Sequence, residues 1–415
     1  MNAAGLLGHP GLRQVLELLN GDGEEARVVG GAVRDTLLGQ PVHEYDIATT
    51  AIPDVVIARA QKAGLRAIPT GITHGTVTLM AQGMPFEVTT LREDIETDGR
   101  HAVIRFGRDF AADAFRRDFT INALSLGLDG QLHDYTGGLE DLTGRRVRFI
   151  GDARQRIRED YLRVLRFFRF SAAYGGPALD PEGLSAAISE RAGLAILSGE
   201  RVRQELFKIL AAPRSASVAA IMSDAGILGP LLHGVPRPAR LARLIAFGED
   251  GSSLLRLAAL AVAIPEDALR LRDILRLSNQ ETARLERAAR ALTALHGLSA
   301  PPPLGNLRRL LFEAGRQGAR DGLCLAFADS GAAADDSHWH AALRFVTDTP
   351  EPRLPFSSAD LLARGLTPGR ALGEALKILQ AKWIRAGFPQ DPRTLAALLD
   401  EATQALPTPA GKPGR

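Results

Sequence analysis

The chain has 415 residues, too many for one ordinary domain, and its 45% hydrophobic and 24% charged content is that of a folded chain, not a disordered one. No apolar run reaches 18 residues, residues 1–23 lack the basic-then-apolar pattern of a secretory signal, and the single Cys324 excludes a disulfide scaffold. Net charge is only +2, which argues against a uniformly basic nucleic-acid binder, yet residues 1–100 carry −5 and residues 101–415 carry +7.

In chain order, Leu12 to Leu19 reads as a short helix stopped by Asn20-Gly21-Asp22-Gly23. Arg27 to Val29 is a strand that runs into Gly30-Gly31 and a helix ending near Leu38. Tyr45 to Ala48 is a second strand, and Pro53 to Ala63 is helical with proline in the first turn. Thr76 to Ala81 and Pro85 to Leu91 form a hairpin around Gln82-Gly83. Ala123 to Leu128 and Gln131 to Tyr135 form another around Asp129-Gly130. From about residue 151 no strand pattern is evident. Apolar residues recur at helical spacing through 153–170, 200–211, 238–246, 252–263, 281–297, 304–314 and 370–386. Pro407 to Arg415 reads as a loose tail.

Several segments carry chemistry. Gly30 and Gly31, between strand and helix, would let backbone N–H groups approach an anion, with Arg34 one turn further on. Glu44 and Asp46 flank Tyr45; at strand spacing both carboxylates share one face, as a site for one or two Mg²⁺ ions requires. Glu87, between Phe86 and Val88, is a third carboxylate on a strand. Arg116, Arg117, Asp118 and Asn122 follow: two guanidiniums suited to a triphosphate, and an amide suited to a ribose or phosphate. Residues 145–169 hold nine arginines, Arg163, Arg166 and Arg169 among them. Asp160 and Arg163 read as i,i+3 neighbours on a helix, either a local ion pair or a reader of a base edge. A carboxylate accepts from an exocyclic amino group while a guanidinium donates to the adjacent ring nitrogen. That pairing suits cytosine and adenine and opposes uracil and guanine.

These segments, in this order, resemble the bacterial-type (class II) tRNA nucleotidyltransferases, the CCA-adding enzymes, and their poly(A) polymerase relatives. The resemblance also covers Glu87-Val88-Thr89-Thr90 with Arg92, the Asp98-Gly99-Arg100-His101 loop, Tyr135-Thr136-Gly137-Gly138, Glu159-Asp160-Tyr161-Leu162-Arg163 and Glu200-Arg201-Val202. It is strongest from Val28 to Leu210 and returns weakly from Pro368 to Trp383. It implies an α+β fold: a polymerase-β-like nucleotidyltransferase head with a small mixed sheet (1–140), then an all-helical neck (141–215), body (216–350) and tail (351–415). It implies Glu44 and Asp46 as metal ligands with Glu87 in catalytic support, and a two-Mg²⁺ site. The nucleotide would meet Gly30, Gly31, Arg34, Arg116, Arg117, Asp118, Asn122, Arg166 and Arg169, with Asp160 and Arg163 as the protein template for its base. The reaction implied is attack of a tRNA 3′-hydroxyl on the α-phosphate of CTP or ATP. The neck, body and tail would hold the acceptor stem, and the segment 93–115 would be a mobile loop. One departure stands out, because the family usually carries Asp-x-Asp where this chain has Glu44 and Asp46.

The alternatives are a poly(A) polymerase, an enzyme adding only CC or only A, and a silent RNA-binding relative. A cytoplasmic location, tRNA as partner, and neither a membrane nor a protein partner are expected. Asp335, Asp336, His338 and His340 read as surface, Trp339 and Trp383 as packing residues, His101 as a plain loop residue, and Arg201 and Arg203 as braces of the neck.

Overall fold

The computed structural model describes residues 4–97, 102–248 and 251–404. Asp98 to His101 and the Pro407 to Arg415 tail lie outside the described residues. The chain divides into two compact units, Met1–Gly234 and Val235–Arg415.

Among the described residues, the first unit holds nine strands: β1 Ala26–Val29, β2 Asp46–Thr49, β3 Arg66–Gly71, β4 Thr76–Ala81, β5 Met84–Thr90, β6 Arg92–Thr97, β7 Ala102–Phe106, β8 Ser125–Gly127 and β9 Leu132–His133. Seven form one sheet in the order β3-β4-β5-β2-β1-β8-β9, and β6 pairs with β7 separately. β1 lies between β2 and β8 and is buried along its whole length, Arg27 included. β4 and β5 alternate buried and accessible residues, and their turn is closed by Gln82 and Gly83, both at positive φ. The pairing that sets the site is β2 on β5: parallel, with Asp46 opposite Glu87.

Helices α1 Pro10–Leu19, α2 Gly31–Leu37, α3 Pro53–Lys62, α4 Phe110–Phe115 and α5 Gly138–Thr143 accompany the sheet. The unit continues as α6 Ala153–Glu159, α7 Leu162–Tyr174, α8 Pro181–Ser189, α9 Gly199–Ala211, α10 Ser215–Asp224 and α11 Leu228–Leu232. A cluster of phenylalanines ties α7 to the head. Phe119 lies 4.6 Å from Phe149 and 5.2 Å from Phe170, and Phe149 lies 5.6 Å from Phe167.

The second unit is helical: α12 Pro238–Ala246, α13 Ser253–Ala261, α14 Pro265–Leu275, α15 Asn279–Ala294, α16 Leu304–Ser330, α17 Ser337–Asp348, α18 Ser358–Leu362, α19 Arg370–Arg385 and α20 Pro392–Gln404. Trp339 and Trp383 are buried, as expected of packing residues. α16 is interrupted at Gly315, whose φ of 68° is left-handed.

Three local expectations change. The 93–115 segment contains most of the antiparallel β6–β7 pair and all of α4. β3, with Pro69 and weak alternation, carried no strand signal. The stretch 153–170 is two helices, because Asp160 is extended (φ −154°, ψ 107°) and breaks it.

Candidate active site

Tyr45 turns into the core against Phe86 and His9, with ring centroids 5.5 and 5.1 Å away. Its neighbours Glu44 and Asp46 consequently face outward on the other side. β2 starts at Asp46, so Glu44 sits just ahead of the strand. The β2–β5 register places Glu87 beside Asp46. Asp46 is reached by solvent from a cleft but is otherwise ringed by protein. Burial first, then the Glu87 and Glu44 charges, hold its carboxyl above the usual carboxylate range, against the opposing pull of Arg117.

The cleft encloses about 620 Å³. Its lining gathers Gly30, Gly31, Arg34, Glu44, Asp46, Arg116, Arg117, Asp118, Asn122, Asp160, Arg163, Arg166 and Arg169. Of the residues expected from the sequence, only Glu87 is outside that lining. Leu162, Phe170 and Arg201 complete it.

Each arginine is anchored from behind. Asp113, 4% exposed, accepts from Arg116 Nε at 2.8 Å and from Arg117 Nη2 at 2.9 Å. Burial alone would raise its pKa, but the two guanidiniums hold it below the usual range. Asp118 accepts from Arg166 Nε at 2.5 Å, and Arg169 pairs with Glu205 at 2.8 Å. Arg34 is buried and donates to Asn122 Oδ1 at 2.5 Å and to Asp35. Asn122 in turn donates to Asp118 Oδ1 at 3.3 Å.

Two expected arrangements are corrected. Gly30 has a φ of 72°, and its N–H donates to Leu124 O, so that N–H does not face an anion. Its lack of a side chain serves packing instead: a Cβ there would lie 3.3 Å from Arg117 Nη1. Asp160 and Arg163 also do not pair with each other through their side chains. Asp160, at the helix break, accepts from Arg201 Nη2 at 2.9 and 3.1 Å and from the Leu162 N–H. Arg163 Nη1 donates to Arg156 O at 2.8 Å and Glu159 Oε2 at 2.5 Å. Arg201 therefore ties α9 to the break between α6 and α7, and it lines the cleft.

Asp113, Phe170 and Tyr174 were missed. Asp113 carried a signal, since it stands at i−3 and i−4 from the two arginines. Phe170 and Tyr174 continue the face of α7 that begins with Arg163 and Arg166. Among the described residues, no three His, Cys, Asp or Glu side chains converge as a metal cage. In the Asp336 to His340 region, Asp336 caps α17, and His340 stacks on Phe247.

The family "Poly A polymerase head domain" matches residues 26–148, and "Probable RNA and SrmB- binding site of polymerase A" matches residues 178–237. The human "CCA tRNA nucleotidyltransferase 1, mitochondrial" is 34% identical over 400 residues, covering 94% of this chain and 89% of the human protein. The chain belongs to the CCA-adding tRNA nucleotidyltransferase family. Family membership extends to bacterial relatives. The "CCA-adding enzyme" of Limosilactobacillus fermentum is 30% identical, over 95% of this chain and 97% of its own length. The crystal structure of the Bacillus stearothermophilus CCA-adding enzyme in complex with CTP superposes with a TM-score of 0.74 at 28% identity, covering 95% of this chain and 97% of that one. The α+β fold expected from the sequence, a polymerase-β-like head with a mixed sheet followed by helices, is the fold observed.

Proposed function

We infer that this chain adds C, C and A to the 3′ end of tRNA from CTP and ATP, without a nucleic-acid template and with release of pyrophosphate. The observation that carries this reading is a single cleft. It joins the carboxylates at 44–46, a row of anchored arginines, and the Asp160 and Arg163 side chains. The names of the relatives and the CTP bound by the Bacillus enzyme support it.

In this reading Glu44 and Asp46 hold Mg²⁺, with Glu87 in support. The donor set fits: hard oxygen ligands, and an Asp46 carboxylate whose like-charged neighbours a cation would offset. Two carboxylates are enough, because Mg²⁺ takes much of its shell from water and substrate phosphates. When bound, the ion supplies charge neutralisation at the α-phosphate and favours the ionised form of the attacking hydroxyl.

The chain's own residues do the rest. Arg34, Arg116, Arg117, Arg166 and Arg169 orient the triphosphate and offset its charge, and their carboxylate anchors fix them before the nucleotide arrives. Asn122 and Asp118 lock that array together. Asp160 and Arg163 read the base. A carboxylate has about four acceptor positions, so Asp160 can take a base amino group while bonded to Arg201 and the Leu162 N–H. Both of the Arg163 bonds leave from Nη1, and a guanidinium carries five N–H donors. The helical remainder would bind the tRNA through phosphate contacts, consistent with a cavity of about 890 Å³ in the second unit that includes Arg308, Arg316 and Arg353. The head, neck, body and tail boundaries keep their sequence-based placement in this proposal. We place the enzyme in the cytoplasm; a relative is mitochondrial by name, and cell fractionation decides between the two.

The test is incubation with Mg²⁺ and tRNA lacking its 3′ CCA, with each nucleotide alone and all together. Ordered addition of C, C and A with arrest supports the reading. A long A tract from ATP alone overturns it in favour of a poly(A) polymerase. Addition that stops at CC, or that needs a CC end, identifies a split activity. Binding of tRNA without incorporation identifies a silent relative.

A further inference from the structure

We propose that Tyr174, which lies outside the cleft lining, is the positioning residue that fixes Arg34 for nucleotide binding and couples the head to helix α7. The proposal rests on the reading of Arg34 given above. Arg34 is 6% exposed, so its guanidinium must find its partners within the protein. In its own plane it donates through Nε to Asp35 Oδ1 at 2.8 Å, through Nη1 to Asn122 Oδ1 at 2.5 Å, and through Nη2 to the Tyr174 hydroxyl oxygen at 2.8 Å. Its Cζ lies over the Tyr174 ring, 4.1 Å from the centroid.

Asp35 accepts from Nε and Nη2 and Asn122 from Nη1, whereas Tyr174 both accepts a hydrogen bond and places its ring beneath the cation. A cation over an aromatic ring is attracted by the ring quadrupole, so Tyr174 holds the charge of Arg34 by a contact that the carboxylate and amide partners do not supply. Asp35 is the next residue in sequence and Asn122 belongs to the same head, but Tyr174 stands 140 positions away at the end of α7. That helix begins just after Asp160 and carries Arg163, Arg166 and Arg169. Phe170 extends the same contact. It lies 6.1 Å from Tyr174 in a stacked arrangement and takes Arg169 over its ring at 4.1 Å. One aromatic pair therefore sets guanidiniums from α2 and α7 against each other. Burial first, with a hydrogen bond to Asp35 also contributing, keeps the Tyr174 phenol protonated well beyond neutral pH, despite the Arg34 charge.

The test is steady-state KM and kcat for CTP and ATP in Tyr174→Leu, Tyr174→Phe, Arg34→Ala and the Arg34→Ala/Tyr174→Leu double variant. Tyr174→Leu loses a ring contact and a charge-assisted hydrogen bond, so KM for both nucleotides should rise about tenfold with kcat within about twofold. Tyr174→Phe keeps the ring and should lose only about threefold. Discrimination against UTP and GTP should not change in either. In the Arg34→Ala background, Tyr174→Leu should add nothing further. An unchanged KM in both Tyr174 variants, or a full additive loss in the double variant, overturns the proposal. If Tyr174→Leu does not fold, Tyr174→Phe decides alone, and a KM equal to that of the parent overturns it. If Arg34→Ala itself leaves KM unchanged, the nucleotide-binding reading of Arg34 fails instead, so the two failures are distinguishable.

Discussion

At the residue scale, the cleft is an array of charges in which almost every guanidinium has an assigned anchor, and this decides what single substitutions do. Asp160→Ala or Arg163→Ala removes one half of the proposed base-reading pair while the other arginines persist. Incorporation of UTP and GTP relative to CTP and ATP should rise at least roughly tenfold with KM for CTP little changed; unchanged discrimination would exclude the template role. Asp113 differs, because it touches no substrate in this arrangement and holds two arginines at once. Asp113→Ala leaves two half-buried guanidiniums without their shared partner and should cost on the order of 3 kcal/mol in urea unfolding, with KM for nucleotide raised as well. The folded pKa of Asp113 is depressed, so its contribution is complete at neutral pH, where both states are ionised. It is lost as pH falls below the ordinary carboxylate range and the folded carboxylate protonates. The stability gap between parent and Asp113→Ala should therefore be constant from pH 7 to 5 and close only in acid. Asp46 has the opposite character. Its ionised form is opposed by Glu87 and Glu44, so Asp46→Asn should melt at a higher temperature than the parent in EDTA while losing incorporation. A melting temperature below that of the parent would show that Asp46 is compensated in some other way.

At the scale of elements, two breaks and one close packing matter most. The extended Asp160 separates α6 from α7 and turns its carboxylate toward Arg201, which a continuous helix through 153–170 would not do. α7 then presents Arg163, Arg166, Phe170 and Tyr174 at three- and four-residue steps on one face, and packs Val164, Leu165 and Phe168 into the core on the other. In the second unit, α15 and α16 approach through glycine. A Cβ on Gly322 would lie 2.3 Å from Ala291 Cβ, and one on Gly318 would lie 3.0 Å from Arg287 Cβ. Helix propensity alone favours alanine over glycine by about 1 kcal/mol. The contact distance reverses that sign, since the obstacle at Gly322 includes the α15 backbone and not a flexible side-chain end. Gly322→Ala should lower the melting temperature, and a rise would show that the two helices separate at little cost.

For the whole molecule, the small net charge of +2 is a sum of opposing parts. The acidic first hundred residues contain the carboxylates of the site, and the later arginines supply the surplus that a polyanion requires. Binding to tRNA should therefore be strongly salt-dependent despite the modest total. Log affinity should fall linearly with log salt concentration at roughly 0.7 to 0.9 per phosphate contact. Affinity that is flat between low and physiological salt would argue against phosphate contacts as its source.

What the sequence determined by itself was local or compositional. Gln82-Gly83 and Asp129-Gly130 marked real turns, because left-handed φ is costly for most side chains and Gly83 and Gly130 adopt it freely. The alternation around Phe86 and Val88 put Glu87 on the accessible face, and the ordered motifs pointed to the family. The tertiary structure alone decided who pairs with whom. Nothing local says that β2 lies parallel to β5 with Asp46 beside Glu87, since parallel pairing joins segments about forty residues apart. Nor does i,i+3 spacing guarantee an ion pair: one extended residue sent Asp160 to Arg201, 41 positions away, and Arg163 to Glu159. A charge takes whichever partner the fold brings within reach in a dry enough setting, and that distance is a property of packing, not of sequence separation.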